Sequence, residues 1–167
     1  RLTKWTMESD KLGAGFSMAG IPQRIYIYIA RCAGLHTKDR FESIMKLPQE
    51  DNGYTGDYIH PRFVAVLLQL GDILDMDNDR FHPLFRECIG AIPEMSERHF
   101  EKHQSIRQLY IRPDIITIEA DCKSQEALRL VRKECDMLKE ILQEAGYNWT
   151  LIRPRKFSGS LPTISSV

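Results

Sequence analysis

The spacing of apolar residues predicts a chain built mainly from α-helices. After Pro22, apolar side chains recur along one helical face. The segment Ile25–Ile29 also alternates with tyrosines, which leaves a strand open, but the apolar stripe extends beyond these five residues and favours a helix. The strongest helical pattern runs from His60 to Met76 and is opened by Pro61, a residue favoured in the first turn of a helix.

Three shorter helices are also predicted, one before this segment and two after it. They cover Thr37–Leu47, His82–Ile89, and a stretch from a capping Ser96 to about Ile106. The polar segment Gln49–Tyr58 contains two glycines and is predicted to be a loop.

The pattern changes after residue 106. Leu109–Ile111 and Ile115–Ala120 flank a proline-containing turn and predict a β-hairpin. Lys123–Ala145 follows as a long amphipathic helix, with Gly146 as its expected C-terminal cap. The predicted fold class is therefore mainly α, a helical bundle with one small β-hairpin followed by a long helix. Residues 1–152 are expected to form a single domain, and residues 153–167 a linker or tail.

Charge and hydropathy exclude several functional classes. The chain has 23 Lys plus Arg and 23 Asp plus Glu, whereas nucleic-acid-binding proteins usually have a basic excess. The small basic run of Arg153, Arg155 and Lys156 is more often a solvated tail than a binding patch. No apolar run approaches the roughly 20 residues of a membrane helix, so neither nucleic acid nor a membrane is an expected partner.

Cysteine usage indicates a reducing compartment. The four cysteines form no CxxC pair and no disulfide framework. The first ten residues also lack the apolar stretch of a secretory signal. Free thiols in a cytoplasmic protein are the simplest account.

Asp72 is the first candidate for chemistry. It lies in the segment Phe63–Leu74, in which only Gln69 and Asp72 are clearly polar. Such a helix is expected to be buried, and a buried carboxylate is costly unless it is paired or binds a metal. The alternative is that Gln69, Asp72 and Asp75 share one solvent-facing wedge of the helix, and the pattern does not decide between the two.

His36 is the second candidate. It follows Cys32 by four residues, so a continued helix would place it on the inward face, where a neutral imidazole can bind Zn, Mn or Fe. A lone inward histidine is more often hydrogen-bonded in the core. His99 and His103, one helical turn apart, could also pair on a metal, but an exposed helix face is the more common reason for such spacing.

Two segments carry a family resemblance. Ile29–Thr37, read IARCAGLHT, and Tyr58–Phe81, read YIHPRFVAVLLQLGDILDMDNDRF, resemble the later helices of an HD-superfamily metal-dependent phosphohydrolase domain. The closest type is the HD domain found upstream of GHKL or heat-shock-type ATPase domains in large bacterial proteins. The resemblance is best over residues 24–81 and extends less specifically to about residue 160.

The resemblance implies a site and an activity. HD enzymes are helical bundles whose histidines and aspartates hold divalent metals, and the metal activates water to attack a phosphate ester. Carried over, Asp72 and His36 would be metal ligands for Mn, Fe, Mg or Zn. Arg62 and Arg80 flank the same helix and would contact phosphate oxygens. A nucleotide or another small phosphate ester would be the substrate.

One feature departs from the family pattern. None of the five histidines is followed by aspartate, so the His-Asp pair that gives the family its name is missing. One interpretation is a phosphohydrolase domain that lacks its N-terminal helices. A second is a non-catalytic, nucleotide-sensing or regulatory module coupled to a C-terminal ATPase domain. A third is a simple interaction domain that uses the hairpin edge or the long helix.

Overall fold

The computed structural model describes residues 22–36, 41–53, 56, 58–76 and 94–164. The chain divides into two compact units. The first comprises Arg1–Asp72 and Tyr147–Gly159, and the second comprises Ile73–Gly146 and Ser160–Val167. The predicted helix His82–Ile89 and residues Thr37–Arg40 of another predicted helix lie outside the described residues.

The described residues form six helices and five short strands. The helices are α1 (Gln23–Gly34), α2 (Phe41–Met45), α3 (Pro61–Leu74), α4 (Glu94–Ser105), α5 (Gln125–Tyr147) and α6 (Trp149–Ile152). The strands are β1 (Asp51–Asn52), β2 (Tyr58–Ile59), β3 (Ile106–Ile111), β4 (Ile115–Ala120) and β5 (Thr163–Ile164). The predicted fold class, mainly α with one small hairpin followed by a long helix, is confirmed. No helix in the described part of the chain is both long and apolar enough to cross a bilayer.

Helix α1 resolves the choice between helix and strand at Ile25–Ile29 in favour of helix. Its first turn closes through the Ile25 N–H, which donates to the Pro22 carbonyl at 2.9 Å. Proline can occupy this flanking position because it needs no donor there. The helix ends where the Leu35 N–H turns back to the Cys32 carbonyl at 3.1 Å. His36 therefore lies just beyond the helix and not within it.

Helix α3 buries only one side. Its buried residues are Pro61, Ala65, Val66, Gln69 and Leu70. The expectation that this helix is buried all round was wrong, because three of its large apolar side chains are 42–46% exposed: Val64, Leu67 and Leu68.

Two short strands lie within the segment that the sequence predicted to be a loop. Strands β1 and β2 pair antiparallel, with Asp51 opposite Ile59 and Asn52 opposite Tyr58. Gly56 lies between them with a φ of 76°, a left-handed conformation that glycine adopts without steric cost. The short hairpin delivers the chain directly into the first turn of α3.

The second unit contains the predicted hairpin. Strands β3 and β4 pair antiparallel around a turn closed by the Arg112 N–H and the Ile115 carbonyl at 2.9 Å. Strand β3 begins at Ile106 and not at Leu109, directly after α4, and its register shifts between Ile106 and Gln108. Burial alternates along β4 as side chains do along a strand, since Ile116 and Ile118 are buried.

Helix α5 begins with a side-chain cap. The Ser124 hydroxyl accepts from the Ala127 N–H at 3.0 Å, which satisfies one of the free donors of the first turn. The apolar spacing of this segment predicts eight residues on one core face, and six of them are buried: Ala127, Val131, Leu138, Ile141, Leu142 and Ala145. The other two differ, because Leu128 is 39% exposed and Cys135 is half-buried. The prediction that Gly146 caps the helix was wrong, because α5 continues to Tyr147.

The C-terminal residues take part in both units. Thr163 and Ile164 form β5, which pairs parallel with β4, and the Thr163 N–H donates to the Asp114 carbonyl at 2.9 Å. In the first unit, residues up to Gly159 pack with α3. The predicted boundaries, a domain over residues 1–152 and a linker or tail over 153–167, stay a prediction.

The buried stripe of α5 allows a matched stability test. Leu138 is fully buried whereas Leu128 on the same helix is 39% exposed. We expect Leu138→Ala to lower the free energy of unfolding by about 2–5 kcal/mol, because it removes buried methyl groups and leaves a cavity. Leu128→Ala is the control and is expected to cost less than about 1 kcal/mol. Urea unfolding of the two variants measures the difference, and equal losses would contradict the assigned face.

Candidate functional site

His36 has an oriented imidazole ring. The side chain is half-buried, and Nδ1 lies 2.6 Å from the Ala33 carbonyl oxygen. A carbonyl can only accept, so Nδ1 carries the proton and donates. In the neutral ring, the lone pair then resides on Nε2. Metal-binding histidines are commonly held by such a bond from the other ring nitrogen.

Asp72 lies on the exposed side of α3. Sequence spacing grouped Gln69, Asp72 and Asp75 in one wedge, and the structure separates them. Gln69 is fully buried, whereas Asp72 and Asp75 are exposed. Of the two alternatives left open for Asp72, the solvent-facing one is observed.

The described residues do not complete a metal site by themselves. Among them, no group of three or more His, Cys, Asp or Glu side chains is close enough to hold an ion. Divalent metals at protein sites usually have at least three protein ligands. The metal-ligand roles of His36 and Asp72 therefore stay predictions, and no reaction step is derived from them.

Arg62 contacts backbone carbonyls. Its Nε donates to the Leu47 carbonyl at 2.6 Å, and its Nη1 donates to the Leu151 carbonyl at 3.1 Å. Arg62, which was predicted to contact phosphate, therefore donates its hydrogen bonds to the protein's own main chain. Arg80, the other predicted contact, lies outside the described residues.

His60 is a residue that the sequence did not single out. Its Nδ1 is buried and has no hydrogen-bond partner within the described part of the chain. It connects β2 to α3, where its carbonyl accepts from the Val64 N–H at 3.0 Å. A histidine followed by proline at a helix start is a common sequence, so spacing alone offered no signal. A buried polar atom of this kind needs a partner, and a water or an ion bound beside His60 would supply one.

The thiol of Cys32 contacts the first residue of α3. Its Sγ donates to the carbonyl of Pro61, the residue after His60, at 3.4 Å. Burial raises the pKa of the Cys32 thiol. The thiol is therefore a protonated donor at neutral pH and is not an activated nucleophile.

A second polar cluster joins α1 to β1. Arg24 Nη1 lies 3.4 Å from Asp51 Oδ2. Burial raises the pKa of Tyr28, and the Asp51 carboxylate raises it further by its charge and by a hydrogen bond from the phenol. The three side chains position the short hairpin that leads into α3.

Polar contacts in the second unit join α4 to α5. Lys102 Nζ lies 2.6 Å from Glu134 Oε1, and both side chains are largely buried. The Ser124 hydroxyl donates to Glu101 Oε1 at 2.6 Å while it caps α5. These contacts hold the first three turns of α5 against the C-terminal half of α4.

His103 is buried in the same helix α4. The expectation of an exposed helix face was wrong for this residue. The side chain of His99 lies outside what the structure describes, so its predicted pairing with His103 stays a prediction.

A short C-terminal segment closes the first unit. We name residues Tyr147–Gly159 the C-terminal clasp. The rings of Trp149 and Phe157 pack on Phe63 of α3, with centroid distances of 5.8 and 5.6 Å. Trp149 Nε1 donates to the Gly159 carbonyl at 2.7 Å. A Cβ at Gly159 would lie 2.6 Å from the Phe157 ring, so a larger residue there would displace that ring.

The mainly helical fold, with its small hairpin and long helix, is consistent with an HD-like domain. The sequence model of the HD-CE family matches residues 9–144, which is most of the chain, and the chain belongs to that family. Comparison with curated proteins found no match, and neither did comparison with solved structures.

The buried ion pair predicts a measurable coupling. The side chains of Lys102 and Glu134 are 10% and 20% exposed. Arg107 and Asp121 form a second ion pair, whose side chains are 68% and 53% exposed. In a double-mutant cycle with Lys102→Met and Glu134→Gln, we expect a coupling of about 1–3 kcal/mol in the free energy of unfolding. The same cycle on Arg107 and Asp121 is the control, with less than about 1 kcal/mol expected. Equal couplings would show that burial does not strengthen the pair.

The raised pKa of Cys32 predicts slow alkylation. We expect iodoacetamide to modify Cys32 at least about tenfold more slowly in the folded chain than in urea at pH 8, because less thiolate forms and the sulfur is covered. The pH of half-maximal rate should also be higher in the folded chain. Peptide mass spectrometry gives both rates, with the half-buried Cys122 as the check on reagent activity. An identical pH profile in the two states would contradict the assigned environment.

Proposed function

We propose that this HD-CE domain contributes His36 and Asp72 to the metal site of a phosphohydrolase that acts on a nucleotide or another phosphate ester. The observation that carries the proposal is the bond from His36 Nδ1 to the Ala33 carbonyl. It fixes the tautomer that presents Nε2 as a ligand. Asp72 is exposed and accessible to an ion from solvent.

A divalent ion would supply activated water and neutralise phosphate charge. Mn, Fe, Mg and Zn all accept imidazole or carboxylate ligands. The ligands that complete the site would come from residues outside the described ranges or from elsewhere in a longer protein. Arg80 is proposed as a phosphate contact, and so is Arg62 when it leaves its carbonyl partners.

A second candidate function is a non-catalytic module that senses a nucleotide and regulates a C-terminal ATPase domain. The sequence favours it at one point, because no histidine is followed by aspartate. In that case a small phosphorylated ligand would bind without turnover. A cytoplasmic location is proposed for both candidates.

Metal titration of the chain tests the first proposal. We expect Mn²⁺ to bind the wild-type chain, and His36→Ala and Asp72→Asn each to weaken binding at least about tenfold, because each removes a direct ligand. Isothermal titration calorimetry measures the affinities. Asp136→Asn is the matched control, since it removes an exposed carboxylate on α5 and should change nothing.

The outcomes separate the two candidates. Mn²⁺ affinity that is unchanged in both variants would remove His36 and Asp72 from the proposed site. Binding of ATP or ADP in the presence of EDTA, with no release of phosphate when metal is restored, would favour the regulatory module. Metal-dependent phosphate release that is lost in the Asp72→Asn variant would favour the phosphohydrolase.

A further inference from the structure

The C-terminal clasp is held to the rest of the first unit by two side chains. Gln49 Nε2 donates to the Thr150 carbonyl at 2.9 Å and to the Arg153 carbonyl at 3.1 Å. Arg62 Nη1 donates to the Leu151 carbonyl at 3.1 Å. These carbonyls belong to the end of the four-residue helix α6, where backbone acceptors lack helical partners. The clasp is therefore fastened through a small number of bonds to side chains.

Aromatic packing adds to this attachment, and so does Ile152 of α6, whose side chain is fully buried. Trp149 and Phe157 contact each other edge-on at 6.2 Å and both contact Phe63, the residue after Arg62. The guanidinium of Arg62 and the ring of Phe63 thus secure the clasp from neighbouring positions in the first turn of α3. A change at either one alters the environment of Trp149.

No carboxylate of the described ranges pairs with the positive charges around this attachment. Four cations lie in the clasp or hold it, and none forms an ion pair within the described residues: Arg62, Arg153, Arg155 and Lys156. Arg62 is also the second residue of α3, where the helix dipole disfavours a positive charge. Its only partners in the described structure are neutral carbonyls.

A phosphate group would be a stronger partner for Arg62 than a carbonyl is. Charge-assisted bonds from guanidinium to phosphate are frequently bidentate and are roughly twice as strong as neutral hydrogen bonds. The bond from Arg62 to Leu151 lies at the surface, so a ligand can reach it without prior unfolding. The exposed Arg155 and Lys156 add to the local attraction for an anion.

We propose that the C-terminal clasp is an autoinhibitory contact that a phosphate-bearing ligand releases by taking Arg62 from the Leu151 carbonyl. This inference rests on the proposed function in one respect, since Arg62 is the phosphate contact named there. In the closed state the clasp occupies the guanidinium. In the released state Arg62 binds phosphate, and the clasp has lost one of the bonds that hold it, which loosens the packing of Trp149. Ligand binding and clasp position are therefore coupled, and each shifts the other by the same factor.

Trp149 is a built-in reporter for this device. The chain has two tryptophans, Trp5 and Trp149, so Trp5→Phe leaves Trp149 as the sole indole. We expect pyrophosphate, added in EDTA, to shift Trp149 emission to longer wavelength along a saturable curve, because the ring leaves Phe63 and meets water. Sodium chloride at the same ionic strength should leave the emission unchanged.

Two variants give opposite expectations. Arg62→Ala should abolish pyrophosphate binding by calorimetry and show the released emission without ligand. Gln49→Ala keeps Arg62 but removes two clasp bonds, so it should tighten apparent pyrophosphate binding about fivefold, because less of the binding energy is used to open the clasp. Arg132→Ala, an exposed arginine on α5, is the control and should behave as the wild type.

Three outcomes would overturn the proposal. They are the absence of a saturable emission change, the same change in Arg62→Ala, and weaker or unchanged binding in Gln49→Ala. Circular dichroism of each variant separates loss of the clasp from loss of the fold. Because the assay contains no metal, failure of the metal titration with success here would reject the metal site alone.

Discussion

In the first unit, the backbone carbonyls at the end of the short helix α6 need hydrogen-bond donors from elsewhere in the chain. The last carbonyls of α6 have no helical donors, and Gln49 and Arg62 supply them from about 100 residues away in sequence. Arg62 also binds the Leu47 carbonyl, so a single guanidinium joins the end of the α2 segment, the start of α3 and the clasp. Arginine suits this position because its planar group offers several donors in fixed directions.

Elements with strong periodicity were predictable from sequence. Helix α5 and the β3–β4 hairpin appeared with the correct type because each combines a regular apolar pattern with clear start or turn residues. The ends of elements were less predictable. Gly146 has helical neighbours on both sides, and a glycine is a cap only if the backbone turns left-handed there. The exposure of apolar side chains on α3 was also not predicted, because hydropathy does not reveal whether another part of the chain covers each face of a helix.

The candidate site was only partly accessible to sequence reasoning. His36 was identified, but its ring orientation depends on the turn after α1 that brings Ala33 within reach. The placement of Asp72 was left open because two positions sixty degrees apart on a helix can differ completely in burial. The carbonyl partners of Arg62 were not predictable at all, since Leu151 lies 89 residues away and no local pattern signals such a contact.

Each unit is built from two separate stretches of the chain, and this has a consequence for biosynthesis. Each unit includes a segment that follows residue 146, and the first needs residues 147–159 while the second needs 160–164. Neither can reach its final state until these segments have emerged from the ribosome. Until then Phe63 lacks its aromatic neighbours and β4 lacks β5, so the nascent chain exposes apolar surface of the kind that chaperones bind. Completion of the fold therefore coincides with the last stage of translation of this region.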